Sequence, residues 1–164
     1  KKGLNLLIKT MVKINKKKSN VKLLIVGENY ESLNKYKYLI KKNNLENEVI
    51  FINKFIDQDN VKYWFCSSDL IIQPYKKASQ SGITPLALQF ETPTVCTNVG
   101  GLSEIILNKK DGFLCNPNVK DLEKKILTAL DYNQDMLKAE IKIKKKKLTW
   151  DIFVNQLINN IHYE

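Results

Sequence analysis

The sequence predicts an α/β domain in which a parallel sheet is covered by helices on both faces. Short apolar runs at 21–27, 48–55, 69–75, 93–98 and 111–117 have strand length and end in turn residues. The segments between them carry apolar residues at helical spacing. The first run, Val21 to Gly27, is apolar almost throughout, as suits a strand buried on both faces. Strands alternating with helices in this way give a parallel sheet, and ligands of such sheets bind at the strands' carboxyl ends.

Each helix is justified by its apolar stripe. Leu4, Leu7, Ile8 and Met11 mark a first helix over 3–18 that runs out into lysines. A helix over 30–43 puts Leu33, Tyr36, Leu39 and Ile40 on one side. Asp57 opens a short helix with Val61, Trp64 and Phe65. The helix over 81–90 tolerates Pro85 because it falls in the first turn. A short helix over 101–107 follows Gly100, and residues 119–132 repeat Leu122, Ile126, Leu127 and Leu130. After a lysine-rich helical segment, Trp150, Phe153, Val154, Leu157, Ile158 and Ile161 form a last stripe. It is a docking face, either for this chain's core or for a partner domain. No repeat or Gly/Ser linker divides the chain, so 1–164 reads as one domain with 150–164 as a C-terminal helix. Its length is enough for a full core without disulfides. The start at Lys1, without an initiator Met, suggests a fragment of a longer protein.

Charge and composition narrow the function. A net charge of +10 comes from 27 lysines and no arginine. That argues against specific nucleic-acid recognition, where the arginine fork dominates. Lysines cluster at helix ends and on polar faces, as on a solvated surface. The densest tract, Ile141 to Lys147, offers the alternative of peripheral contact with an anionic membrane, at about 1 kcal/mol per lysine. No apolar run approaches the ~18 residues of a membrane span, and the N-terminal residues lack the pattern of a signal peptide. Cys66, Cys96 and Cys115 have no metal or redox spacing. All three are expected as buried thiols of a reducing compartment, which makes the expected location cytoplasmic. Gly27-Glu28 ends the first strand without GxGxxG, so a dehydrogenase is disfavoured; Walker loops, nucleophile elbows and metal-ligand clusters are absent from the sequence. His162, near the end of the sequence, is a poor candidate for a general base. No metal, cofactor or catalytic side chain is assigned.

The candidate site lies in Asp69 to Glu104. This stretch reads as strand, polar turn, helix, strand, Gly-Gly turn and helix start. Free N–H groups and helix dipoles converge at such a place and favour anions. In the turn Tyr75 to Gly82, Ser79 or Ser81 caps the helix, and Gly82 lets a ligand approach the backbone. The amides of Gly82, Ile83 and Thr84 are expected to point out of the first turn. Two or three hydrogen bonds to a charged partner, at roughly 1.5–3 kcal/mol each, suffice to hold a diphosphate. An ordinary polar helix cap is the competing reading. Gly100 and Gly101 form a second turn, and Glu104 stands in the helix turn that follows, where the dipole stabilises a carboxylate with or without a functional role. Lys2, before Gly3 and the first helix, either reaches across the strand ends to phosphate or stays in solvent.

Taken in order, Lys2-Gly3, VKLLIVG, EVIFINKFI, SSDLIIQPY, SGITPLALQFETPTVCTNVGGLSEII, DGFLCNP and the closing Trp150 helix resemble the C-terminal, donor-binding domain of family 4 glycosyltransferases. These are retaining enzymes of the two-domain GT-B fold, and the resemblance covers almost the whole chain. It implies a Rossmann-like domain that forms one half of a GT-B architecture, its N-terminal acceptor domain lying outside this chain. It implies transfer of a sugar from a nucleotide-diphosphate sugar to a glycan, lipid or polysaccharide acceptor, without a bound metal or cofactor. By the same resemblance, Lys2 binds the donor diphosphate. Ser79, Gln80, Ser81, Gly82, Ile83 and Thr84 hold phosphates and sugar, and Lys54, Phe55 and Ile56 lie by the nucleobase. Many relatives carry two glutamates eight apart here; this chain has Ala78 or Ser79 and Leu86, the pattern of a variant branch. Sugar and ribose recognition then falls to Ser79, Gln80 and Ser81. The departure leaves open a degenerate binding module without catalysis, and the lysines leave open a domain that binds anionic membrane or nucleic acid. The chain alone is expected to bind nucleotide weakly and to transfer no sugar.

Overall fold

In the computed structural model, which describes residues 2–29 and 32–161, short strands alternate with helices along the chain. The strands are β1 (Leu23–Val26), β2 (Val49–Ile52), β3 (Ile71–Gln73), β4 (Thr94–Thr97) and β5 (Gly112–Cys115). The helices are α1 (Leu4–Lys17), α2 (Asn34–Lys42), α3 (Gln58–Cys66), α4 (Ile83–Gln89), α5 (Leu102–Ile105), α6 (Val119–Asp131), α7 (Gln134–Lys146) and α8 (Trp150–Ile161). Every strand pairing is parallel, as the alternation predicts.

The ladder is divided. β1 pairs with β2, and β3, β4 and β5 form a second group in that order. Between β1 and β3 lies an apolar cleft lined by Met11, Leu24, Trp64 and Ile71. The two edges therefore meet through side chains rather than backbone groups. Leu23 and Ile25 of β1 still pack on the same core as Leu70 and Ile72 beside β3.

The core is closed by α1 and α6. Ile8, Met11 and Ile14 of α1 are buried, as are Leu122, Ile126 and Ala129 of α6. Each large side chain of this kind contributes roughly 1.5–3 kcal/mol on burial. α6 starts where Asn118 Oδ1 accepts the N–H of Asp121 at 2.9 Å, and Asp121 in turn accepts the N–H of Asn116 at 2.7 Å. These caps fix the path from β5 into α6.

Two expectations are corrected, and one open choice narrows. Cys66 is exposed, because it ends α3 on the solvent side, while Cys96 and Cys115 are buried as expected. The Trp150 stripe does not dock on this chain's core. Trp150 is 80% exposed and Phe153 50%, and Val154, Leu157 and Ile158 stay open with them. The lysine tract at the end of α7 is not uniformly solvated. Lys142, Lys146 and Lys147 are exposed, whereas Lys144 and Lys145 are half-buried in ion pairs with Asp111 and Glu91. His162 and the expected helix start at Tyr30 lie outside the described residues. Among the described residues, no helix is long and apolar enough to cross a membrane.

Candidate functional site

The turn after β3 is held from below by polar side chains inside the domain. Gln73, the last residue of β3, is buried, and its Oε1 accepts the hydroxyl proton of buried Thr84 at 3.1 Å. Thr97, the last residue of β4, donates from Oγ1 to the Tyr75 carbonyl at 2.6 Å, with the Gln73 carbonyl 3.3 Å away. The Tyr75 hydroxyl and Ser81 Oγ share a hydrogen bond of 3.2 Å. Strand ends and helix start are thus tied to the same turn.

Glycines let the neighbouring segments close on it. Gly3 has φ +75°, and a Cβ there would fall 1.6 Å from the Pro74 carbonyl oxygen. Gly100 has φ +53°, and a Cβ there would fall 1.7 Å from the Ala78 carbonyl oxygen. Both positions demand glycine twice over, by backbone angle and by contact. The Gly101 N–H donates to the Ser79 carbonyl at 2.9 Å, joining the second turn to the first. Glu104 is exposed in the first turn of α5 and stands with Gln80 around Gly101. The fold therefore gathers Lys2-Gly3, the 74–82 turn and the 98–104 turn at the carboxyl ends of β3 and β4.

Within that cradle one of the three expected donors, the Gly82 N–H, is open. Ser81 closes the entry to α4 itself: its Oγ accepts the Ile83 N–H and its carbonyl accepts the Thr84 N–H, both at 3.3 Å. The amides of Ile83 and Thr84 are therefore occupied, and Ser79 caps nothing. Thr84 also turns its side chain inward to Gln73, so it supports the turn rather than facing a ligand. Among the described residues, nothing accepts from the N–H groups of Gln80, Ser81 and Gly82. The open run thus begins before the residues that the sequence reading names and ends at Gly82. Gly82 has an ordinary helical φ of −63°. The space where its side chain would stand is empty to 4 Å.

The second part of the site lies across the cleft. The Gly27 N–H donates to the Ile52 carbonyl at 3.1 Å, and the Asn29 N–H to Asn53 Oδ1 at 2.8 Å, which binds the loops after β1 and β2 together. Lys54 and Phe55 are exposed and Ile56 is half-buried. Phe55 and Ile56 line the same cleft as Ile83 and Leu86 of α4. Lys2 is exposed beside Gly3. Behind the turn, Cys96 and Cys115 are pushed up to about 12, each mainly by burial, with Asp111 adding to the first and Asp121 to the second. Neither thiol supplies a nucleophile at neutral pH.

Sequence reading misses Gln73, Thr97 and the two half-buried lysines. A trace of the first was available: Gln73 is the polar residue in the otherwise apolar run Leu70 to Pro74.

A parallel α/β domain with an open backbone turn at its strand ends defines a ligand-binding class. Comparison narrows it: residues 1–147 match the family described as glycosyl transferases group 1, and the chain belongs to that family. It is 33% identical over 123 residues to protein CapJ of Staphylococcus aureus, covering 75% of this chain and 30% of CapJ. It is 35% identical over 95 residues to alpha-1,3/1,6-mannosyltransferase ALG2 of Dictyostelium discoideum, covering 57% of this chain and 22% of ALG2. Its fold matches Anabaena HepE, solved in complexes with UDP and with UDP-glucose. For the UDP complex the TM-score is 0.82 at 20% identity, over 98% of this chain and 44% of HepE. The fold is that of one Rossmann-like half of a GT-B glycosyltransferase, and the chain spans less than half the length of these relatives.

Proposed function

We propose that this domain holds the donor in a glycosyltransferase that moves a sugar from a nucleotide-diphosphate sugar to an acceptor with retention of configuration. The observation that carries the reading is the cluster of open N–H groups at Gln80, Ser81 and Gly82, set at the strand ends of a group 1 family member. In the transfer, the bond between the anomeric carbon and the donor phosphate oxygen breaks, and its electron pair leaves on the diphosphate. Catalysis then consists of holding the donor and stabilising that charge. The three amides and the Lys2 ammonium supply the stabilisation, each bond to the anion contributing roughly 1.5–3 kcal/mol.

The base lies along the cleft by Phe55 and Ile56. Leu86 carries no polar atom, so the sugar and ribose hydroxyls are met by Ser79, Gln80 and Ser81, with Glu104 beside Gly101. The acceptor is bound by an N-terminal domain outside this chain, and the open stripe of α8 packs against that domain. The chain alone binds nucleotide weakly and transfers nothing.

A second reading is a binding module that keeps the fold without catalysis. It is favoured by Ala78, Ser79 and Leu86 standing where related enzymes carry glutamates. Incubating the full-length protein with UDP- and GDP-sugars, followed by proton NMR, separates the two. The donor reading predicts released nucleotide diphosphate and a product that keeps the donor's anomeric configuration. Nucleotide binding without turnover of any donor supports the module instead, and an inverted product removes retention.

A further inference from the structure

Consecutive lysines of α7 reach the ends of both helices that leave the site. Lys144 Nζ contacts Asp111 Oδ2 at 2.5 Å and also the carbonyl of Ile105, the last residue of α5. Lys145 Nζ donates to the carbonyl of Gln89, the last residue of α4, at 2.8 Å, and lies 3.1 Å from Glu91 Oε1. Asp111 is 3% exposed and accepts the Leu107 N–H at 2.7 Å, so Lys144 is locked to the loop that follows α5. α4 has seven residues and α5 four. At about 1.5 Å rise per residue, they carry a restraint over roughly 10 and 6 Å to the turns at their other ends. Those turns are joined to each other by the Gly101 N–H bond to the Ser79 carbonyl.

We propose that Lys144 and Lys145 are positioning residues that clamp α4 and α5 and so fix the 74–82 and 98–104 turns against each other. Their contacts described above are to protein carbonyls and carboxylates. Their effect on donor binding rests on the function proposed above, but the clamp itself is a property of the fold.

The test uses the full-length protein with Lys145→Met and with the double change Asp111→Asn/Lys144→Met, which leaves no buried charge unpaired. Lys144→Met alone strands the buried carboxylate, so it is not relied upon. The double change Glu123→Gln/Lys17→Met is the control: it removes another ion pair to a buried carboxylate, at the far end of α1, and likewise leaves no buried charge unpaired. Amide exchange at Gly101 is expected to rise about tenfold in both clamp variants and to stay at the wild-type rate in Glu123→Gln/Lys17→Met. The dissociation constants of UDP and GDP, measured by calorimetry, are expected to rise about tenfold in the clamp variants, with Lys145→Arg restoring them. Unchanged Gly101 exchange, or an equal rise in Glu123→Gln/Lys17→Met, overturns the clamp. A wild-type protein without nucleotide affinity whose Gly101 exchange still responds overturns the donor reading and leaves the clamp standing.

Discussion

Gly3 has no room for a side chain. Gly3→Ala forces a left-handed backbone on alanine and drives its methyl group into the Pro74 carbonyl. The two effects together predict a loss of about 2–4 kcal/mol, read as a lower midpoint in urea unfolding. An unchanged midpoint contradicts the close approach of α1 to the turn. The thiols make an independent prediction. At pH 8, iodoacetamide labels Cys66 and leaves Cys96 and Cys115 unmodified until the protein is denatured, as peptide mapping by mass spectrometry will show. Their folded pKa of about 12 stands above the ordinary value of 9.0. The folded state therefore keeps protons that the unfolded state releases. That stability is fully present below pH 9 and is lost progressively as pH climbs toward 12. Replacing both buried cysteines with alanine flattens the alkaline part of the stability profile.

Among the described residues, α8 carries an apolar stripe that stays open rather than entering the core. Our account gives it the acceptor domain as partner. Hydrogen exchange on the full-length protein is expected to show the amides of 152–159 protected, and loss of that protection on Leu157→Asp. Fast exchange along the helix in the wild type contradicts the placement. The spacing of apolar residues found this helix, and it found α1 and α6 with Leu7, Ile8, Met11, Leu122 and Ile126 of their buried faces. It found them because an apolar stripe is a property of one segment. It did not say what each stripe covers, because that depends on which layer is already filled. The same limit hid the clamp. Lys144 and Lys145 look like their neighbours in a lysine run, and only the return of α7 past the ends of α4 and α5 gives them carbonyls and carboxylates to meet.

For the whole molecule, the parallel α/β architecture was legible because strand runs alternate with helical ones. The division of the ladder between β1 and β3 was not. Edge pairing depends on tertiary spacing, and the runs at 21–27 and 69–75 give no sign of the cleft between them. At the site, the order of landmarks located the turn, while the identity of its open donors depended on local geometry. A serine that caps through its own hydroxyl and carbonyl moves the free amides from 82–84 to 80–82. The central claim is that these amides and Lys2 hold a nucleotide diphosphate. Calorimetric titration of the full-length protein with UDP and GDP tests it most directly. The account predicts saturable binding of at least one of them, weakened about tenfold or more by Lys2→Ala. No binding of either nucleotide by the folded wild-type protein, or binding that Lys2→Ala leaves untouched, contradicts it.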